Sequence, residues 1–314
     1  MDNLIIKKKN IISVFFTEFI RIRDVIAWTL ISFVGFILGI ASLNLSSYII
    51  PFFIFLILFF FIGSFTFATN NYYDAESDKI NPRRMNINAI ASGKISKKTA
   101  LFLNVIFVSV PLFVSILFKF EVFLLCIFML FLGLSYSVPP LRLKGRPVVD
   151  VIWHFFGFFT IVMYGSYIAG SIGLLNWLVA ISLGVWSSVA QVGNHIADYS
   201  SDKNSGTRTF AVWAGLDKAK IAINILTFLH LVILLPLVLF YSIQYYATSV
   251  ILIIIAILGL IILRPKIGTF PSRRCWIFYF TIVIGGGVYV SVILCHIYNL
   301  LNVPPLDLLK FSFI

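Results

Sequence analysis

The sequence predicts an all-α, polytopic membrane protein with nine transmembrane helices and a cytoplasmic N-terminus. Of its 314 residues, 60% are hydrophobic and 11% are charged, with a mean hydropathy of +1.02. That composition is far from the balance of soluble domains. Apolar runs long enough to cross about 30 Å of hydrocarbon recur along the chain. Basic residues are also distributed unevenly among the segments between these runs, as in oriented membrane proteins.

Nine apolar segments are long enough to be read as membrane spans. The first follows a charged stretch, the second and sixth end in acidic segments, and a proline-rich loop joins the fourth to the fifth. No polar linker interrupts the series, so residues 1–314 are predicted to form one membrane-embedded domain. In chain order the spans cover residues 25–44, 48–70, 98–118, 121–138, 149–170, 175–197, 219–241, 246–263 and 276–298.

The placement of Lys and Arg predicts the orientation. Of the 24 basic side chains, all but Lys119 and Lys310 lie in or beside segments that a cytoplasmic N-terminus would place inside. The positive-inside rule therefore favours an N-in, C-out chain. Basic loops beside anionic lipid also account for the net charge of +12, so no nucleic-acid partner is predicted.

Residues 1–24 precede the first span. They lack the order of basic, apolar and small residues that marks a cleavable signal peptide, because Glu18, Arg21 and Asp24 interrupt the stretch. We expect an amphipathic cytoplasmic lead-in that lies along the membrane surface, with a solvated tail as the alternative.

Two acidic segments carry the strongest chemical signal. Each places an asparagine and two aspartates at four-residue steps at the end of a predicted span. With Glu76, which lies between the two aspartates of the first, the segments hold five of the 12 acidic residues. Carboxylates beside hydrocarbon are costly, about 2.5–3.5 kcal/mol each near a helix centre. The two sets are Asn70, Asp74 and Asp78, and Asn194, Asp198 and Asp202.

Four-residue steps place each set on one helix face, with about 6 Å of rise between members. Mg²⁺ binds one or two protein carboxylates and completes its octahedron with water and phosphate oxygens. The paired segments therefore predict a site for divalent cations and a diphosphate. A solvated, capped helix end would explain one such segment more readily than two with matching spacing.

Basic residues near the acidic segments could hold the phosphate oxygens. The loop 139–148 contains three prolines, which stiffen it, and alternates Arg142, Lys144 and Arg146. We favour Arg142 and Lys144, with Lys203 and Arg208 after the second segment, as diphosphate ligands, although ordinary positive-inside charge explains the 139–148 loop equally well. Other polar residues within spans could shape an acceptor site, without a catalytic assignment: Asn104, His154, Tyr164, Gln191, His195 and His296.

These segments resemble motifs of the UbiA superfamily of intramembrane prenyltransferases, over nearly the whole chain. The first acidic segment is similar to the family's N-D-x-x-D-x-x-x-D motif and the second to its D-x-x-x-D motif. Residues 136–144, YSVPPLRLK, are similar to Y-S-x-P-P-L-R-x-K; residues 92–96 and 206–209 are similar to S-G-x-I-S and G-x-R-T. Two departures are Asn71, where many members carry an aspartate, and Asn88-Ala89, where Arg-Pro is common.

The resemblance implies nine helices around a central cavity and a Mg²⁺-dependent prenyl transfer in the cell membrane, with the active site at its cytoplasmic face. Two Mg²⁺ ions would bind the diphosphate of a polyprenyl diphosphate donor. The protein ligands of these ions would be Asn70, Asp74, Asp78, Asp198 and Asp202. Asn194 and the favoured cations would hold the diphosphate, and Tyr136 would face the allylic cation. The lipophilic acceptor stays open among quinone precursors, glycerophospholipids and chlorophyll- or carotenoid-type lipids.

A cation-coupled transporter is the alternative interpretation, because membrane carboxylates can bind a driving ion. Transporters usually place such groups near mid-bilayer on broken helices within two similar halves. Here the acidic residues cluster at one face, and no proline breaks the predicted helices beside them.

Overall fold

The computed structural model describes residues 10–80, 82–239, 254 and 276–301, with the backbone alone at 82, 83 and 276–284. Within these ranges the chain is helical and contains no strand. Twelve α-helices are described, which we number in chain order: α1 Ile11–Val14, α2 Ile22–Leu38, α3 Ser46–Ile80, α4 Pro82–Met85, α5 Lys97–Phe118, α6 Phe120–Ser137, α7 Pro147–Ala169, α8 Leu174–Ala197, α9 Tyr199–Ser205, α10 Phe210–Ala214, α11 Leu216–Leu237 and α12 Trp276–Leu300. A π-helix covers Phe15–Phe19 and a 3₁₀ turn covers Leu143–Gly145.

The predicted all-helical membrane architecture is confirmed for the described residues. Six of their helices are long and apolar enough to cross a membrane: α3, α5, α6, α7, α8 and α11. The first predicted span corresponds to α2 and the last to α12, whereas the span 246–263 lies outside the described residues.

Helix α2 ends at Leu38, earlier than the predicted boundary at residue 44. Beyond it the chain turns, and the backbone amides of Ala41 and Ser42 donate to the hydroxyl of Tyr48 at 2.9 and 3.3 Å. The Gly39 carbonyl accepts from the Ser171 amide at 3.0 Å. Because these groups have partners outside a helix, the chain can leave the helical path while it is still apolar.

Helix α3 continues ten residues beyond its predicted span. At 1.5 Å per residue its 35 residues extend about 52 Å, well over the roughly 30 Å of hydrocarbon. The extension contains Asp74 and Asp78 and directly follows Asn70, so the first acidic segment occupies successive turns of one uninterrupted helix, as its spacing predicts.

The chain divides into two compact units that alternate in sequence. The first contains Met1–Ile31 and Ile50–Leu143. Within it α5 packs on α6, and Phe19 and Ile20 are completely buried. A Cβ built on Gly133 of α6 would lie 2.7 Å from the hydroxyl of Thr66 on α3, so these two helices touch where the side chain is smallest.

The second unit contains Ser32–Ile49 and Lys144–Ile314. Helix α8 packs against α7 and α11, and α12 packs against both α8 and α11. The end of α2 lies against α7, where Ser32 Oγ donates to the Ile161 carbonyl at 2.7 Å and Ser166 Oγ to that of Gly35 at 2.9 Å. Small residues permit this approach: a Cβ on Gly165 would lie 2.2 Å from the Ser32 carbonyl oxygen.

Candidate functional site

In the first unit, the end of α3 presents the first acidic segment to the loop after α6. Asn70 Nδ2 donates to Ser137 Oγ at 3.1 Å, beside the half-buried Tyr136. One turn later, Asp74 Oδ1 accepts from Arg142 Nη2 at 3.3 Å, and 14% of the Asp74 side chain is exposed. The sequence-predicted Asn70, Asp74 and Arg142 therefore lie together.

Arg142 is held by local backbone structure. Its amide donates to the Val138 carbonyl at 2.9 Å, and its φ is +35°, a left-handed conformation that a non-glycine residue seldom adopts. Such backbone strain clusters at functional sites. Lys144 follows in the 3₁₀ turn and belongs to the second unit.

Asp78, the last member of the first segment, is buried and hydrogen-bonded to Asn88, which the sequence showed only as a difference from the family's usual Arg-Pro. Asn88 is 1% exposed, and its Nδ2 donates to Asp78 Oδ2 at 2.9 Å and to the Asn71 carbonyl at 3.0 Å. Its Oδ1 accepts from the amides of Ile90 and Ala91 at 3.0 and 3.1 Å. This Asx-type turn is the local signal that could have identified Asn88.

The π-helix within the predicted lead-in, residues 1–24, packs against the end of α3 in the first unit. The π-helix ends in a buried position, where Asn71 Nδ2 donates to the carbonyls of Glu18 and Phe19 at 2.7 and 2.9 Å. The Glu18 carboxylate, itself buried, pairs with Lys94 Nζ at 2.6 Å. The physical reason is that carbonyls at a helix end need donors, and buried ones cannot obtain them from water.

The same contacts explain why an asparagine suits position 71, where many members of the UbiA superfamily carry an aspartate. An aspartate carboxylate has no proton to donate at neutral pH, and at this position it would face two carbonyl oxygens. The amide therefore fits the carbonyls at the end of the π-helix, which a carboxylate would repel.

The second acidic segment is less regular than its spacing predicts. Helix α8 ends at Ala197, and Asp198 (φ −91°, ψ 4°) separates it from the short helix α9. The four-residue bonding continues nevertheless, from the Asp198 amide to the Asn194 carbonyl at 2.9 Å and from the Asp202 amide to the Asp198 carbonyl at 2.8 Å. Asn194 and Asp198 are exposed and Asp202 is half-buried.

The basic residues after this segment are exposed. Lys203 Nζ lies 5.9 Å from the centroid of the Tyr199 ring, at the edge of cation–π range. Helix α9 ends at Gly206, whose φ of +71° suits a glycine, and Arg208 follows in the connection to α10. Both cations can therefore reach an anion without first breaking a buried contact.

The donor chemistry of the two segments fits a hard cation. Each offers carboxylate and amide oxygens, the ligands that Mg²⁺ prefers. Among the described residues, however, no group of three or more His, Cys, Asp or Glu forms a ready-made ligand set. A metal held here would thus take part of its coordination from a ligand, as Mg²⁺ does when it binds phosphates.

A second polar cluster, which we call the Asp150 cluster, lies in the second unit and contains Asp150, His154, Gln191 and His195. Asp150 Oδ2 accepts from Gln191 Nε2 at 2.8 Å and lies 3.0 Å from His195 Nε2. His154 Nε2 lies 3.9 Å from the other carboxylate oxygen. Sequence reasoning singled out His154, Gln191 and His195 without Asp150, which is the acidic residue in the first turn of α7 and is buried.

Comparisons with known proteins agree on one family. Lycopene elongase/hydratase of Corynebacterium glutamicum is 27% identical over 153 residues, which are 48% of this chain and 53% of that protein. Digeranylgeranylglyceryl phosphate synthase of Pyrococcus horikoshii is 29% identical over 182 residues, 57% of this chain and 62% of that protein. The chain thus spans about half to three-fifths of the length of these relatives.

A solved structure of a UbiA homolog from Archaeoglobus fulgidus bound to GPP and Mg²⁺ has the same fold. It aligns with 89% of this chain and 98% of its own, with a TM-score of 0.65 at 20% identity. A structure of digeranylgeranylglyceryl phosphate synthase aligns with 90% of this chain and 97% of its own, with a TM-score of 0.67 at 19% identity. The family model for UbiA prenyltransferases matches residues 26–295, and the chain belongs to the UbiA prenyltransferase family.

Proposed function

We propose that this protein is a Mg²⁺-dependent prenyltransferase that moves an isoprenyl group from a polyprenyl diphosphate to a lipophilic acceptor within the membrane. The observation that carries the proposal is the end of α3, where Asn70, Asp74 and Asp78 occupy successive turns and Asp74 bonds to Arg142. Membership of a prenyltransferase family supports the enzyme over the transporter.

Both acidic segments supply oxygen donors in this proposal. Asn70, Asp74, Asp78, Asp198 and Asp202 hold two Mg²⁺ ions, as their oxygen chemistry permits. When bound, the metal would neutralise charge that develops on the departing diphosphate. Structures of the UbiA homolog from Archaeoglobus fulgidus bound to Mg²⁺ with the prenyl diphosphates GPP and DMAPP support this cofactor.

The basic residues and Asn194 bind the diphosphate oxygens. Arg142, Lys144, Lys203 and Arg208 add charge-assisted hydrogen bonds. The Arg142–Asp74 bond limits repulsion among the carboxylates before the substrate arrives. Tyr136, one residue before the Asn70 partner Ser137, offers an aromatic face to the allylic cation.

The proposed topology keeps nine spans, an N-terminus in the cytoplasm and one domain, with the active site at the cytoplasmic face of the cell membrane. The uneven distribution of Lys and Arg supports this orientation. An apolar chamber would exclude the water that quenches a carbocation. The two relatives described above are named for lycopene and glyceryl phosphate, and a third, from Humulus lupulus and 28% identical over 158 residues, is named for a prenylphloroglucinol. These names support a lipid or aromatic acceptor.

The test is a prenyl-transfer assay in detergent micelles. Purified protein receives radiolabelled geranylgeranyl diphosphate, Mg²⁺ and one of three acceptors: lycopene, geranylgeranylglyceryl phosphate or an acylphloroglucinol. We expect transfer that EDTA abolishes and that Asp74→Asn and Asp198→Asn reduce by at least about 100-fold. Asp217→Asn is the matched control, because that aspartate side chain is 97% exposed.

The stability of the variants separates a functional role from a structural one. Asp74→Asn and Asp198→Asn should leave the unliganded fold intact, since each removes a charge from an acidic segment. Transfer that is equal with and without EDTA, and equal in Asp74→Asn, would refute the proposed metal site.

A further inference from the structure

The Asp150 cluster contains a carboxylate–imidazole pair that the proposed diphosphate chemistry does not use. Asp150 is 2% exposed and His195 5%. Asp150 is in the first turn of α7, whereas Gln191 and His195 are one turn apart on α8. Burial of an acidic side chain is costly unless it is paired and hydrogen-bonded. Gln191 and His195 both lie within hydrogen-bond distance of Asp150 Oδ2.

The geometry selects which imidazole nitrogen can act. His195 Nε2 lies 3.0 Å from both Asp150 Oδ2 and Gln191 Nε2. Because a carboxylate only accepts hydrogen bonds, the tautomer that bonds to Asp150 carries its proton on Nε2, and the Gln191 amide nitrogen then donates to Asp150 rather than to the imidazole. The lone pair then lies on Nδ1, a buried atom with no hydrogen-bond partner among the described residues. This order of carboxylate, imidazole and unpartnered basic nitrogen is the arrangement that orients a general base.

A second buried histidine shows that burial alone does not produce this arrangement. His230 on α11 is completely buried, and its Nε2 lies 2.9 Å from the hydroxyl of Tyr289 on α12. A hydroxyl partner cannot compensate the charge of an imidazolium as a carboxylate can. His230 therefore provides a matched structural control for His195.

His195 lies close along the chain to the second acidic segment. It precedes Asp198 by three residues, about 4.5 Å of helical rise, and the helical bond from the Asp198 amide to the Asn194 carbonyl continues past it. A group that acts here would lie within one turn of the proposed diphosphate ligands.

We propose that His195 is the residue that takes the proton released by the acceptor, and that Asp150 and Gln191 are its positioning residues. This inference rests on the proposed prenyl transfer. The allylic carbon–oxygen bond breaks and its electron pair leaves with the diphosphate, while the acceptor forms a bond to that carbon. The acceptor then loses a proton to His195 Nδ1, and the Asp150 carboxylate balances the imidazolium charge.

The experiment compares two products of one reaction. His195→Gln keeps an amide donor toward Asp150 but removes the base. In the assay above, with the acceptor that turns over fastest, both prenylated acceptor and free prenyl alcohol are measured. We expect His195→Gln to lower the prenylated acceptor by at least about 100-fold, while Mg²⁺-dependent binding of geranylgeranyl diphosphate is retained. The ratio of prenyl alcohol to prenylated acceptor should rise.

Two further variants complete the test. Asp150→Asn should lower transfer by at least about tenfold through loss of the oriented imidazole, also without loss of diphosphate binding. His230→Gln should keep both the rate and the product ratio of the parent. A structural role for His195 would instead lower binding and transfer together and leave the product ratio unchanged.

The outcomes separate this inference from the function on which it rests. Normal transfer by His195→Gln, or parallel loss of binding and transfer, overturns the role of His195 while an inactive Asp74→Asn still supports the prenyltransferase. Normal transfer by Asp74→Asn would overturn the proposed metal site, and absence of transfer by the parent protein with all three acceptors would overturn the proposed function itself.

Discussion

The bond between Asn88 and Asp78 permits a prediction in which one atom changes. Asn88→Asp keeps the size of the side chain and the oxygen that accepts from Ile90 and Ala91, but replaces the amide group that donates to Asp78 at 2.9 Å. Two carboxylates would then meet at a position where the residues are 1% and 8% exposed. Like charges about 4 Å apart repel by about 4 kcal/mol at an effective dielectric constant near 20.

A second loss adds to this repulsion. Asn88 Nδ2 also donates to the Asn71 carbonyl at 3.0 Å, and a hydrogen bond of this kind contributes about 1 kcal/mol. We therefore expect Asn88→Asp to lower the free energy of unfolding by about 4–5 kcal/mol. Asn86→Asp is the control, because this substitution adds the same charge at an exposed position of the same loop.

The measurement is an SDS unfolding titration in mild detergent, with and without Mg²⁺ and geranylgeranyl diphosphate. If Asp78 is a metal ligand, bound cations should offset part of the added repulsion. The difference in free energy of unfolding between Asn88→Asp and the parent should therefore be smaller when Mg²⁺ and geranylgeranyl diphosphate are present. Equal stability of Asn88→Asp and Asn86→Asp would show that the Asn88–Asp78 bond does not position Asp78, and the reasoning would be refuted.

Two further predictions concern a buried charge in the first unit and helix packing in the second. Lys94→Met should destabilise by about 2–3 kcal/mol, because it leaves the buried Glu18 carboxylate without its cation. Lys97→Met, which breaks an exposed pair with Glu76, should leave the free energy of unfolding close to that of the parent in the same titration, and equal losses for the two variants would contradict this distinction. Gly165→Ala should prevent recovery of folded protein by size-exclusion chromatography, since its Cβ would lie 2.2 Å from a carbonyl oxygen of α2. Gly286→Ala is the control and should be recovered normally, because its Cβ would meet no atom of the described residues within 4 Å.

Features that depend on neighbours along the chain could be predicted from the sequence. The four-residue spacing of Asn70, Asp74 and Asp78 is confirmed as one face of α3, because an α-helix has the same geometry wherever it lies. The interruption at Asp198 could not be predicted, since no glycine or proline marks it. Helix ends depend on where the chain finds other hydrogen-bond partners, which local patterns do not reveal.

The partners of buried polar groups lay beyond sequence reasoning. Asn71 and Glu18 are 53 positions apart, Lys94 and Glu18 76, and Gln191 and Asp150 41. These distances along the chain are far greater than one helical turn, so no periodic pattern relates the residues. From the sequence, Asn71 and Asn88 were only differences from the residues common in the UbiA superfamily. The structure shows that both side-chain amides donate to backbone or carboxylate oxygens.

The sequence by itself determined that this is a helical membrane protein with two acidic segments and the motifs of a prenyltransferase family. Hydropathy and four-residue spacing are properties of short stretches of chain, so they can be determined without knowledge of the fold. Only the tertiary structure decided that Arg142 bonds to Asp74, that Asn88 donates to Asp78 and that Asp150 lies 3.0 Å from His195. Such pairings form only when helix packing brings distant residues together and removes water from between them.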